Sequence, residues 1–172
     1  KIADSFILYD SVPTTTISGL SSLEAEDVVV WADGKDVGTH TVSSGAITLA
    51  VAASRVVVGL PYTAQFKSTK LAYAAEGGTA INMYKRIPQL GLVLINTHIY
   101  GVQYGEDFNH LKNMPRVQGG KDVGVDYIFS EFDDQQFACG GEWNTDSRLC
   151  LQSMAPKPAT ILCTTITVET NG

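Results

Sequence analysis

The sequence predicts an all-β protein in which a small antiparallel β-barrel or meander is followed by a β-sandwich. Three observations carry that expectation. Between residues 28 and 66, four short apolar runs are separated by Asp33-Gly34, Ser43-Ser44-Gly45 and Ala52-Ala53-Ser54. Apolar runs punctuated by turn residues are the pattern of hairpin-linked strands. Near the end, Leu162, Thr164, Ile166 and Val168 alternate with Cys163, Thr165, Thr167 and Glu169, a period of two that puts one set on each face of a strand. The best helical candidate, residues 69–75, is stopped within about two turns by Gly77-Gly78.

Taken in order, Ser5-Phe6-Ile7-Leu8-Tyr9 is strand-like, and the strand over 5–10 is expected to pair with one of the two units, with the sandwich as a candidate. Because the chain opens on Lys1 in place of Met, it is expected to start inside a longer polypeptide. Residues 17–66 form the first unit. It closes at Gly59-Leu60-Pro61-Tyr62, where Pro61 has no amide proton to continue a ladder. Residues 67–84, with Lys67, Lys70 and Glu76, read as a solvated linker, and residues 85–172 as the sandwich. Within it, 85–100 is one long strand or two strands bent at Gly91. Residues 101–123, with Gly101, Gly105, Pro115, Gly119 and Gly120, are expected to form a loop excursion with one short strand, a place where contact surfaces tend to lie. Strands resume at 127–132, 137–139, 148–152 and 161–169, with Asn144-Thr145-Asp146-Ser147 as a turn.

Composition narrows the function classes. With 44% hydrophobic residues over 172 positions the chain can bury a core. Twelve Lys and Arg against 18 Asp and Glu give a net charge of -6, which argues against gripping a phosphate backbone. No apolar run approaches the ~18 residues of a membrane-spanning helix. Cys139, Cys150 and Cys163 match no zinc spacing, so no metal or cofactor is expected. They read as small buried hydrophobes, with a Cys139–Cys150 bridge across a hairpin as the lesser alternative.

Catalytic motifs are sparse. His40, His98 and His110 stand beside no nucleophile, and Gly77-Gly78 and Gly119-Gly120 lack the Lys-Ser/Thr and helix that phosphate cradling needs. Asp133, Asp134 and Glu142 are the only carboxylate set worth weighing for glycoside hydrolysis, and they read as exposed loop acids. No catalytic residue is assigned and the chain is not expected to be an enzyme. Among the aromatics, Trp31 falls on an alternating strand and is expected in the first core. Tyr100, Tyr104 and Phe108 flank the Gly-rich excursion and, with Trp143, are the candidate contact surface.

Two blocks carry a family resemblance. The first is the ordered run Gly19-Leu20, Leu23-Glu24, Val28-x-Val30-x-Ala32-Asp33-Gly34, Val42-x-x-Gly45-x-Ile47-x-Leu49 and Ala53-Ser54-x-Val56-x-Val58-Gly59-Leu60-Pro61-Tyr62. The second is Gly141-Glu142-Trp143, Arg148-x-Cys150-x-Gln152 and Pro156-x-Pro158-Ala159-Thr160-Ile161-Leu162. Together they resemble the C-terminal region of the tail tubular, nozzle or packaged-DNA stabilisation proteins of short-tailed bacteriophages, over about half of the chain. Residues 82–136 resemble nothing in that family.

The resemblance implies a structural virion protein of the phage tail, assembled in the host cytoplasm. Copies of it would form a ring that prolongs the portal channel, contacts other tail or portal proteins, and takes part in genome retention and ejection. DNA would pass through without specific binding. An acidic wall suits that role, because like charges in a narrow lumen repel across a Debye length of about 8 Å. Glu106, Asp107, Asp133 and Asp134 are the candidate acidic lumen face. The alternative function is a glycan-binding β-sandwich module used for host attachment, and a hydrolase is the distant third.

Overall fold

The computed structural model describes residues 2–72, 74–75, 78–133 and 135–171; there the chain is built from antiparallel strands with two single-turn 3-10 segments. It divides into two compact units, Lys1–Thr63 with Met154–Pro158, and Ala64–Ser153 with Ala159–Gly172.

The first unit is one sheet of β1 (Asp4–Ser18), β2 (Asp27–Ala32), β3 (Lys35–Thr41) and β4 (Ala46–Leu60), in the order β1-β4-β2-β3. Asp33 and Gly34 join β2 to β3 with φ of 44° and 86°. Positive φ at both central positions is what a two-residue hairpin of the type I′ class requires. Ser44 and Gly45, at 55° and 68°, make the second such turn, closed by Ser43 N to Ala46 O at 3.0 Å and Ala46 N to Ser43 O at 3.2 Å. Two carboxylates fix this framework. Glu24 accepts from Ser44 N at 2.8 Å and from Gly45 N at 2.6 Å. Asp33 accepts from Ser54 N at 3.2 Å and from Arg55 N at 2.9 Å, so the residue that makes the first turn also pins β4.

The core of this unit gathers Leu20, Leu23, Val28, Val30, Val42, Ile47, Leu49, Val56 and Val58. Trp31 is buried, but its parity on β2 sets it opposite Val28 and Val30, where it lines a cavity with Leu8, Arg55 and Val57. It is buried as expected, outside the cluster that Val28 and Val30 join.

Three expectations change. The sheet does not close into a barrel, because β4 takes both β1 and β2 as neighbours and leaves β1 and β3 as edges. The opening strand belongs here and not to the sandwich: it pairs with β4 from Asp4↔Leu60 to Ser18↔Ala46 and buries Ile17. Ala52-Ala53-Ser54 do not interrupt β4, since none of them needs positive φ and β1 is long enough to keep pairing past them. The register slips between Asp10 and Thr14 instead, around Pro13, which lacks a ladder donor and is tolerated on an edge strand at an irregularity. Residues 154–158 join this unit through Ala155 N to Tyr62 O at 3.0 Å and a Lys157–Asp36 ion pair at 2.6 Å.

The second unit holds β5 (Thr63–Lys67), β6 (Ala74–Ala75), β7 (Gly78–Thr79), β8 (Tyr84–His98), β9 (Gln103–Gly105), β10 (Lys112–Asn113), β11 (Val117–Gln118), β12 (Lys121–Asp122), β13 (Ile128–Phe132), β14 (Gln136–Ala138), β15 (Cys150–Met154) and β16 (Ile161–Asn171). β8 is central to one sheet, with β13 and β14 along one side and β16 along the other. The second sheet runs β10-β9-β15-β5. Ile87, Leu90, Leu92 and Leu94 of β8 share one core with Phe129, Phe132, Tyr104 and Leu151, so the two sheets form the expected sandwich.

β8 is a single strand. It does not break at Gly91, whose missing Cβ leaves space for the Thr165 hydroxyl of β16. Pro88 falls where the β8–β16 register shifts, between Gln89↔Thr167 and Arg86↔Glu169. On β16 the expected alternation holds from Thr164 to Val168, with Thr165 and Thr167 exposed.

The linker expectation over 67–84 is corrected: Ser68 N bonds Leu149 O at 2.8 Å, Leu71 N bonds Ser147 O at 3.1 Å, and the Leu71 side chain packs on the core. Residues 69–72 are not helical, and Tyr73, Glu76 and Gly77 lie outside the described residues. The 101–123 excursion contains four short strands, and β9 lies inside the second sheet.

Asp33→Ala is expected to lower the unfolding free energy by about 1–3 kcal/mol, since it strips two amides of their acceptor and puts Ala at positive φ. Asp33→Asn keeps an acceptor and tolerates that φ, and should recover more than half of the loss. Urea titration with an unchanged m-value checks this; an Asp33→Ala midpoint equal to the parent's contradicts the assignment.

Candidate functional site

A concavity of about 380 Å³ opens in the second unit where the loop after β9 faces the segment between β14 and β15. Its polar lining is Glu106, Asp107, His110, Lys112, Glu142 and Asn144, with Trp143 and Cys139 alongside.

The far wall is held in place by Lys85. This residue is fully buried at the start of β8, and its Nζ donates to four carbonyls, those of Ala80, Ile81, Met83 and Thr145, each at 3.1 Å. Its backbone pairs with Asn144, with N–O distances of 2.9 and 3.1 Å, and its carbonyl accepts from Ser147 Oγ at 2.8 Å. Burial pushes the Lys85 ammonium below its ordinary pKa, with nearby Lys70 adding to the shift and Asp146 opposing it. The main chain and the ammonium of Lys85 together thus hold residues 144–147, next to Trp143. The indole is oriented further by Arg86, whose guanidinium carbon sits 4.9 Å from the ring centroid while its Nε bonds Glu169 at 2.7 Å.

The near wall is organised by Asp107. Its carboxylate accepts from Asn109 N at 2.7 Å and His110 N at 3.0 Å, a local turn, and meets His110 Nδ1 at 2.9 Å. Gly105 lets the loop fold back, because a Cβ there would stand 2.5 Å from the His110 carbonyl. The Glu106 side chain crosses the cavity, its Oε2 accepting from Glu142 N at 3.1 Å. Gly141 makes room for it. Among the described residues, Glu106 Oε1 and Asn144 Oδ1 are buried with no hydrogen-bond donor. Lys112 Nζ donates to Cys139 O at 3.2 Å.

The candidate residues fare unevenly. Trp143 is 40% exposed beside the cavity, so it stays available as a contact. Tyr104 does not: only 4% exposed, it packs on Phe137 and donates to Ala138 O at 3.2 Å. Its place inside the second sheet, which a three-residue strand gives no period to reveal, turns it inward, and burial raises its phenol pKa. Tyr100 is half-buried against the same core and Phe108 is partly buried, so no exposed aromatic platform forms from these three.

The acidic set also separates. Glu106 and Asp107 are engaged inside the cavity and its loop, while Asp133 lines a different concavity with Gly91, Gln136 and Thr165. Asp134 lies outside the described residues. Asp133 and Glu142 therefore do not converge as a carboxylate pair. All three cysteines are free; Cys139 and Cys150 are buried, with thiol pKa values raised by burial, whereas Cys163 is exposed. No group of three His, Cys, Asp or Glu side chains suited to a metal ion occurs among the described residues, and no described helix is long and apolar enough to cross a membrane.

The sequence offered His110 only as a catalytic base without a nucleophile and Asn144 only as a turn residue, and gave no role to Lys112 or to the Lys85 side chain. An Asp-x-x-His spacing at 107–110 was the one local signal on offer. The chain matches no protein-family model and no curated protein.

The Asp107 hydrogen bond raises the His110 pKa above 6.5, and the same contact with the Asn109 amide holds the Asp107 carboxyl below 3.8. The stabilisation from this pair is complete between those ordinary values. It is lost as pH rises through the raised imidazole value, and as pH falls through the lowered carboxyl value. An NMR titration of His110 is expected to give a midpoint above 6.5 that drops toward it in Asp107→Asn. A parent midpoint at or below 6.5 contradicts the contact.

Proposed function

We propose that the chain is a structural module of the tail tube or nozzle of a short-tailed bacteriophage, one of several copies in a ring that prolongs the portal channel and takes part in holding and releasing the genome. The sequence resemblance motivates the reading, and one structural observation supports it. β1 is a 15-residue edge strand whose Phe6, Leu8 and Val12 are exposed, Val12 at 73%. Long edge strands with apolar side chains are templates for pairing with another chain, and a lone monomer usually blunts them with charge. A second copy in a ring would cover such an edge.

The resemblance block itself is explained by the first unit. Leu20, Leu23, Val28, Val30, Val42, Ile47, Leu49, Val56 and Val58 are its core, Glu24 and Asp33 hold its turns, and Gly59 is seated where a Cβ would stand 2.5 Å from the Asp4 carbonyl. Those positions are occupied with packing and turns, with no reactive centre required of them. The net charge of -6 suits a protein past which DNA slides without adhering.

Negative-stain microscopy and sedimentation of the purified protein are expected to show closed rings, which Leu8→Lys combined with Val12→Lys converts to monomers without loss of β-sheet circular dichroism. A protein monomeric at every concentration, or rings indifferent to both substitutions, contradicts the reading.

A further inference from the structure

We infer that the neighbour covering β1 does so with the edge of β3, so that the sheet of the first unit runs on from copy to copy around the ring. This rests on the ring reading above and adds to it the surface of the next copy that receives β1.

Strand direction sets up the match. In the order β1-β4-β2-β3 every neighbouring pair is antiparallel, so β1 and β3, the two free edges, run in opposite directions. A second copy in the same orientation therefore brings its β1 antiparallel to the first copy's β3, with both core faces on one side. The outward main-chain groups correspond too. Arg55 O accepts from Asp33 N and Arg55 N donates to Asp33 Oδ1, both at 2.9 Å, so Arg55 turns toward β2. Its partner on β1, Asp10, then directs its amide and carbonyl outward, and by alternation so does Leu8. On the other edge Val42 N bonds Glu26 O at 3.0 Å, so Val42 faces β2 while Thr41 and Thr39 face outward. All four side chains lie opposite the core, whose side is taken by Ile7 and Tyr9 on β1 and, beside β3, by Val28 and Val30.

Length and charge agree. The open stretch of β1 is short, since Tyr9 Oη already donates to Val12 O at 2.6 Å, and on β3 the bulge at Val37 and Gly38 limits the template to the residues after it. β1 carries Asp4 and Asp10 with no Lys or Arg, and the Asp10–Arg55 contact at 3.5 Å is solvent-exposed. β3 carries Lys35, and its one acid, Asp36, is taken by Lys157 at 2.6 Å. An acidic edge thus meets a basic one. Two β1 edges paired about a two-fold axis would instead set these acids against their own copies, and such a pair closes at two subunits. A head-to-tail seam uses two different edges and leaves one of each for the next copy, which is what a ring needs.

Disulfide trapping on the full chain tests the seam. β1 and β3 of one chain stand three strand spacings apart, about 14 Å, beyond the ~7 Å that a disulfide spans between Cα atoms, so a bond joining them must link two copies. In a Cys163→Ser background, which removes the exposed thiol, Leu8→Cys or Asp10→Cys is combined with Thr39→Cys or Thr41→Cys and oxidised with copper–phenanthroline. At least one combination is expected to give a ladder of covalent oligomers on non-reducing gels, ending at the copy number of the ring, while each single substitution stays monomeric there. Dimers from Leu8→Cys or Asp10→Cys alone overturn the inference in favour of two-fold pairing of β1. Rings in sedimentation with no ladder from any combination overturn it and leave the ring reading standing; absence of rings as well overturns both.

Discussion

The ammonium of Lys85 is the constraint on which the second unit depends. A buried charge is tolerated only when its protons are taken up, and here four main-chain carbonyls accept them, three from residues 80–83 and one from Thr145. The lowered pKa records that burial still penalises the charge. What it does is specify geometry. It fastens the 3-10 turn Ala80–Asn82 and the turn after Asn144 to the first residues of β8. Trp143 and Asn144, which wall the concavity, take their positions from that anchor.

The first unit solves the same problem with the opposite charge. Glu24 and Asp33 are carboxylates that collect backbone amides at one tight turn and at the middle of β4. Charge-assisted bonds to amides are among the stronger ones a surface can offer. In both units, then, long strands carry the apolar core, and single charged side chains set where the strands begin, turn and bend.

This division explains what was legible in the sequence. Asp33-Gly34 and Ser44-Gly45 announced their turns because positive φ needs those residue types locally. The period of two on β16 and the long run of β8 were visible because burial there follows the strand. The Lys85 cage was not, since its partners are carbonyls that every residue owns and one of them lies sixty positions away. The concavity was hidden for the same reason: Glu106 meets Glu142 across 36 positions, and β9 and β10 are too short to show a period that would have turned Tyr104 inward. Pattern likewise gave β1 no owner, because an edge strand with both faces partly wet suits either sheet.

Native-state hydrogen exchange in the parent and in Lys85→Met tests the anchoring most directly. The account predicts that the Lys85 and Asn144 amides of the parent open only with global unfolding. In the variant they should exchange through a local opening, with protection falling by about 1–3 kcal/mol because buried carbonyls lose their donor, while the amides of the Val28–Val58 core are unchanged. Equal protection of Asn144 in parent and variant would contradict it.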